Sequence, residues 1–280
     1  MITPFHAPAS RRASTRTNLA ARLMCALALL GLVTLLFSSP SLAAGDELSR
    51  IKENGVLRVG LEGTYPPFNY QNEKGELVGF EIDVANALAA RLGVRAGFQP
   101  TKWDGILAAL EADRFDVVIN QVTVTPERQQ KYAFSKPYTI SGLQIITRRG
   151  DETRITRPQD LAGHKVGVVL GTNYEQWLKA NVPAADTRTY DDDASRNQDL
   201  LAGRVDAVLN DRLIVANLVR QYDGRIVAAG EPFARQEQAI ALRRDQDALR
   251  GAIDRALEEL RADGTLARIS EKWFASDVTR

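Results

Sequence analysis

The sequence predicts an α/β protein of two lobes, each a mostly parallel sheet flanked by helices, with the chain crossing between the lobes twice. Three observations lead there. Short β-rich runs alternate with helical patterns, as parallel strands joined by crossover helices require. That alternation is played through twice, and residues 112–121 (ADRFDVVINQ) and 202–211 (AGRVDAVLND) are identical at five positions, each ending a helix and entering an apolar strand. The closing strand and two helices are too few for a domain, so they must complete an earlier one.

Taken in order, residues 1–43 stand apart. Arg11, Arg12, Arg16 and Arg22, with no acid among them, precede the apolar run 23–37, after which small Ser41 and Ala43 sit two apart as a signal peptidase requires. The run is shorter than the ~20 residues that span a bilayer, so a signal peptide cleaved after Ala43 is expected in place of an anchor. The first unit then opens with a strand at 56–61 and a helix at 80–92, where Phe80, Val84, Leu88 and Leu92 recur one turn apart. A strand at 95–99 follows, then a helix from Trp103 that buries Ile106, Leu107 and Leu110, then a strand at 117–120. The second unit repeats the scheme with strands at 165–169, 187–190 and 206–210 and helices at 173–180, 194–202 and 212–221. A strand at 239–243 leads to a helix with Leu249, Ile253, Leu257 and Leu260 on one face, Gly264 as its C-cap, and a last helix carrying Leu266, Ile269, Trp273 and Phe274. Assigning this tail to the first lobe gives 44–141 plus 238–280 as lobe one and 142–237 as lobe two. Two crossings make a hinge.

Composition narrows the function. Cys25 is the only cysteine and lies inside the expected signal peptide, which leaves no thiol for a disulfide, a metal site or a nucleophile. Removing the four arginines turns the formal charge from +1 to −3, which gives no reason to expect nucleic acid or an anionic membrane as partner. His164 is the only remaining histidine, so a histidine-dependent triad or a zinc site is not expected. The run Asp191-Asp192-Asp193 lacks calcium-loop spacing and reads as a loop with a helix cap. No metal, no cofactor and no phosphate-binding glycine loop is indicated.

In open parallel sheets, ligands sit beyond the carboxyl ends of the strands, which directs attention to residues after 61, 120, 169 and 210. After the third strand, Gln121 leads into Thr123, and Thr125 before Pro126 is a helix start, threonine as N-cap and proline at the first position. Arg128 then stands beside free backbone donors and a positive dipole end, a carboxylate receptor in composition. Thr172, Asn173 and Glu175 open another helix, Thr172 and Glu175 at capping-box spacing. Asp211 ends an apolar strand, where a buried charge calls for an ammonium or for a neighbour such as Arg212. Tyr65, Phe68 and Trp103 supply apolar walls.

These segments match, in order, those of the periplasmic amino-acid-binding proteins of ABC importers, the bacterial solute-binding protein family 3: GTYPPF at 63–68, GFEID at 79–83, Trp103 with Leu107 and Leu110, TVTPER at 123–128, and Pro137-Tyr138. QVT at 121–123, YTISG at 138–142, LGTNYE at 170–175, RTYDDD at 188–193 and EKWF at 271–274 look like its L-cystine-binding branch. The resemblance spans essentially the whole chain after residue 43. It implies the type II periplasmic binding protein fold and a binding function with no catalysis. The partners it implies are an amino acid, L-cystine or another polar one, and an inner-membrane ABC permease, with the protein a periplasmic monomer. Residue by residue, it implies Arg128 on the ligand α-carboxylate, Thr123 and the Thr172 region donating to it, Asp211 on the α-ammonium, and Tyr65, Trp103 and Phe68 against the side chain. Glu62 stands where many relatives carry Asp and Asn173 where many carry Ser or Thr, Asn173 agreeing with the cystine branch. An enzyme reading on the same scaffold, a secreted dehydratase acting on arogenate or prephenate, would have Glu62 as its only general acid. A membrane-kinase sensor is disfavoured, since no second apolar span follows residue 43.

Overall fold

The computed structural model describes residues 46–280. The expected signal peptide, its cleavage point and Cys25 lie outside the described residues, among which no helix is long and apolar enough to cross a membrane.

Residues of alternating burial give the first strand: β1 (Val56–Leu61) places Leu57, Val59 and Leu61 fully inside. A small three-stranded sheet of β2 (Thr64–Tyr65), β3 (Asn69–Gln71) and β4 (Leu77–Val78) follows, which sequence reasoning did not anticipate. Then come α2 (Phe80–Leu92), preceded by α1 (Glu47–Asn54) at the start of the described chain, β5 (Arg95–Pro100), α3 (Trp103–Glu111), β6 (Val117–Val118), α4 (Pro126–Gln129) and β7 (Tyr132–Phe134). Within α3, Ile106, Ala109 and Leu110 are buried and Leu107 only partly so.

The second unit comprises β8 (Thr139–Arg148), β9 (Lys165–Val169), α5 (Asn173–Asn181), β10 (Asp186–Tyr190), α6 (Asp193–Leu201), β11 (Ala207–Asp211), α7 (Val215–Gln221) and β12 (Ile226–Gln238). The expected helix at 212–221 is split, a short 3-10 turn over Arg212–Ile214 preceding α7. The chain ends with β13 (Ala241–Arg243), α8 (Asp247–Ala262) and α9 (Thr265–Phe274).

Two five-stranded sheets result, in the orders β5-β1-β6-β13-β7 and β10-β9-β11-β8-β12. Three neighbouring strands in each are parallel, and β13 or β8 is the one that runs against the other four. The sheets are therefore mixed in pairing although four of five strands share a direction. The likeness reaches single atoms. Asp116 accepts a bond from the backbone N–H of Arg58 at 2.7 Å, and Asp206, its counterpart in the repeated stretch, accepts one from Lys165 at 2.8 Å. Asp113 and Gly203, also counterparts, both take left-handed backbone (φ 56° and 73°) in the turn that precedes the strand.

In the first lobe the core lies between α2, α8 and the sheet, where Leu249, Ile253, Leu257 and Leu260 are buried, each stabilising by about 1.5–3 kcal/mol relative to exposure. Gly264 is left-handed (φ 75°), two residues beyond α8. β8 and β12 are antiparallel partners, joined from Thr139↔Gln238 through Arg148↔Ile226. The first of those pairs is the junction between the sheets, because Gln238 also bridges Thr123 and Ala239 is bonded to Val122.

Candidate functional site

Strand ends meet between the two sheets. Residues after β1, β6 and β9, together with the end of β11, surround a cavity. Six of the ten residues singled out from the sequence line it, Glu62, Tyr65, Trp103, Gln121, Thr172 and Asn173. Arg128 does not line it but covers Trp103, whose ring centroid lies 5.2 Å from the guanidinium carbon.

The helix start at Thr125 forms as its residues require, with Thr125 Oγ1 accepting from the backbone N–H of Arg128 at 3.3 Å and Pro126 at the first position. The side chain of Arg128 is thereby turned inward and is 6% exposed. Nη1 donates to the Thr123 carbonyl at 2.9 Å, and Nη2 reaches across the cleft to the Gly171 carbonyl at 3.5 Å. Among the described residues it has no ion-pair partner, and burial lowers its pKa to about 10. A buried guanidinium facing only carbonyls and an indole retains donors for an anion. Thr123 is buried beside it, Oγ1 donating to Gln236 at 3.4 Å, and Asn173 donates to the same Gln236 oxygen at 3.0 Å. Thr172 caps α5 by accepting from Glu175 N, but Glu175 returns its carboxylate to Gly171 N at 2.7 Å, so the expected reciprocal box is shifted by one residue.

Asp211 is the last residue of β11 and is fully buried. One carboxylate oxygen accepts from Ser141 Oγ and from Leu213 N (2.8 Å); the other, Oδ2, has no partner among the described residues. Arg212 does not neutralise it, donating to the Ile140 carbonyl at 3.3 Å instead. Burial raises the Asp211 carboxyl to about 6. Asp211 does not line the cavity, although its chain neighbour Asn210 does. Phe68 is a correction: it is fully buried in the first-lobe core, 5.1 Å from the ring of Tyr65 and 5.5 Å from that of Phe274, and backs Tyr65 without meeting the cavity.

Two asparagines that the sequence reading passed over organise the rest. Asn120 donates to Glu62 at 2.7 Å while accepting from Glu62 N, and its counterpart Asn210 donates to Asp193 at 2.9 Å while accepting from the Tyr65 hydroxyl at 2.8 Å. They occupy the same place in the ten-residue repeat, and that identity could have identified both. Asp193 and Arg196, paired at 2.8 Å, also line the cavity; a run of aspartates before a helix reads first as a cap, and Asp192 indeed caps α6. Arg196 passes close over the sheet at Gly167, where a Cβ would lie 3.0 Å from its Cγ. Glu62 is pushed up to about 7, chiefly by burial, with Asp193 adding to the rise and the Asn120 bond opposing it.

Elsewhere, Glu47, Asp113 and Asp116 converge within 4.8 Å, yet Arg50, Arg58 and Arg243 pair with all three, which makes the group an ion-pair cluster and not a metal centre.

The pattern of the bacterial extracellular solute-binding proteins, family 3, matches residues 57–276. The chain is 52% identical over 243 residues to the L-cystine-binding protein TcyJ of Escherichia coli strain K12, covering 87% of this chain and 91% of that one. It is 36% identical over 241 residues to the L-cystine-binding protein TcyA of Bacillus subtilis strain 168, covering 84% and 87%. Among solved structures, an ancestral arginine-binding protein bound to arginine superposes with a TM-score of 0.75 at 41% identity over 79% of this chain and 98% of that one. The ancestral amino-acid-binding protein AncCDT-1, described as a precursor of cyclohexadienyl dehydratase, does so with 0.76 at 36% identity over 81% and 99%. With that match running almost from the first strand to the last helix, the chain belongs to the bacterial extracellular solute-binding proteins, family 3.

Proposed function

We infer that the protein binds a free amino acid, L-cystine above others, in the periplasm and delivers it to an inner-membrane ABC permease. The observation that carries this reading is a pair of uncompensated buried charges, Arg128 over the lining residue Trp103 and Asp211 next in sequence to the lining residue Asn210. Among the described residues, Arg128 is a buried cation without a counter-ion, and Asp211 is a buried carboxylate with one oxygen unpartnered. A zwitterion placed between them would supply the missing partner to each: the carboxylate to Arg128, with Thr123 and the start of α5 donating as well, and the ammonium to Asp211. Tyr65 and Trp103 would pack against its side chain, with Glu62, Gln121 and Asn173 completing the polar wall. Closure follows because only the closed form makes both sets of bonds, which gives the ligand the differential affinity that shifts the population. The choice of cystine is supported by two relatives named for it, one of them identical at 52% of aligned positions.

Calorimetry with L-cystine, cysteine, glutamine and diaminopimelate tests the reading. Saturable one-to-one binding, tightest for L-cystine, is expected; tighter binding of another member of the panel would reassign the ligand. In this account the protein carries out no chemistry on its ligand. TcyJ and TcyA, the relatives reported above, are both named as binding proteins. Incubation with arogenate or prephenate should yield no aromatic product.

A further inference from the structure

Beside the cavity just described lies a second chamber that shares Glu62, Tyr65, Trp103 and Asp193 with it. Its outer wall is made from both lobes: Thr101 and Lys102 at the start of α3 on one side, and 191–194 at the start of α6 on the other. Most charges there are already engaged. Asp192 caps α6 through Ser195 N at 2.8 Å, Asp193 pairs with Arg196, and Glu62 accepts from Asn120. Lys102 and Asp191 are the exceptions. Both are exposed, line the chamber from opposite lobes, and have no hydrogen bond or ion pair among the described residues. The Asp192 carboxyl is held low mainly by the Ser195 N–H, and the positive charge of Lys102 contributes across the cleft. An ammonium and a carboxylate that face one space and lack partners present the complement of a second zwitterion.

We propose that this chamber seats the second amino-acid head of a two-headed ligand, Lys102 taking its carboxylate and Asp191 its ammonium. The proposal rests on the reading of the inner cavity as the seat of the first head. A disulfide-linked pair of amino acids separates its α-carbons by about 5–6 Å, a short span suited to two chambers that share walls. The inner cavity would then select for an α-amino acid as such, and the outer chamber would select for a ligand that carries two of them.

The test uses two ligands on the full mature protein: L-cystine, and S-(methylthio)-L-cysteine, which keeps the disulfide and lacks the second head. Titration calorimetry on wild type should show L-cystine bound at least about tenfold more tightly, a difference expected of one added charge-paired head. Lys102→Met and Asp191→Asn should each reduce the ratio of the two affinities several-fold, with thermal unfolding unchanged because both side chains are exposed. An unaltered ratio in both variants overturns the proposal while leaving the inner site standing. Equal affinity of wild type for the two ligands also overturns it. Failure of wild type to bind either ligand overturns the inner-site reading together with this one.

Discussion

Asp211 shows at residue scale why a binding site is a strained place. Its carboxyl titrates near 6 in the folded chain against an ordinary 3.8, because burial disfavours the charge. A group whose folded pKa is raised contributes stability below its unfolded pKa and loses that contribution as pH rises through the folded value. The ligand-free protein should therefore lose about 2–3 kcal/mol from this group between pH 4 and pH 6. Asp211→Asn should be more stable than wild type at pH 7 by a similar amount, the gap closing towards pH 4, as measured by denaturant unfolding without ligand; a less stable variant at pH 7 would contradict this. Binding has the opposite dependence. The ammonium needs the ionised form, so affinity should fall by roughly tenfold per pH unit below about 6, a trend that calorimetry across pH 4–8 would reveal. Position after a strand end made Trp103, Gln121 and Thr172 legible beforehand as residues that line the cavity. Arg196 and Asp193 were not legible in that way, because their pairing at i, i+3 on a helix is what an ordinary surface ion pair also looks like. Only the fold turns that pair inward, over Gly167.

Among the elements, the four-residue α4 has the largest influence on the site for its size. Its first turn exists because Thr125 and Pro126 stop the extended chain and start a helix, and the capped N–H is that of Arg128 itself. Thr125→Ala should reduce stability by about 1 kcal/mol and weaken ligand binding as well, since the guanidinium is aimed by the turn that loses its cap. Unfolding and calorimetry on the same variant would separate the two effects, and undiminished affinity would show that Arg128 is positioned by other contacts. At the start of α2, Gly79 has φ 139° and a Cβ there would lie 2.1 Å from the Phe68 carbonyl oxygen. Gly79→Ala should therefore disrupt the turn that brings Glu81 beneath Gln121, lowering stability by several kcal/mol in denaturant unfolding. Most elements of the two α/β units were legible, because apolar spacing and capping residues mark them locally. β2 to β4 were not, being two or three residues each, too short for any period to register. The long strands β8 and β12 were legible only as crossing points, for their pairing joins residues some ninety positions apart in sequence and no local pattern announces it.

For the whole molecule, two like-built sheets joined through β8 and β12 put the ends of both sets of strands against one space. Bonds already cross it, from Tyr65 to Asn210 and from Arg128 to the Gly171 carbonyl. A ligand that binds there and not to the unfolded chain stabilises the protein by mass action, about 2.7 kcal/mol at a hundredfold excess over its Kd. The ten-residue repeat already pointed to this architecture, and Asp116 and Asp206 make matched bonds within it: each aspartate ties the third strand of its unit to the first. The central claim is that one zwitterion is held at its two ends by Arg128 and Asp211. Titration calorimetry of L-cystine into wild type, Arg128→Ala and Asp211→Asn tests it most directly. Each substitution leaves one ligand charge buried and unpaired, so binding should weaken by several kcal/mol in both variants, to the point of being undetectable under conditions that saturate wild type. Wild-type affinity in either variant would contradict the account.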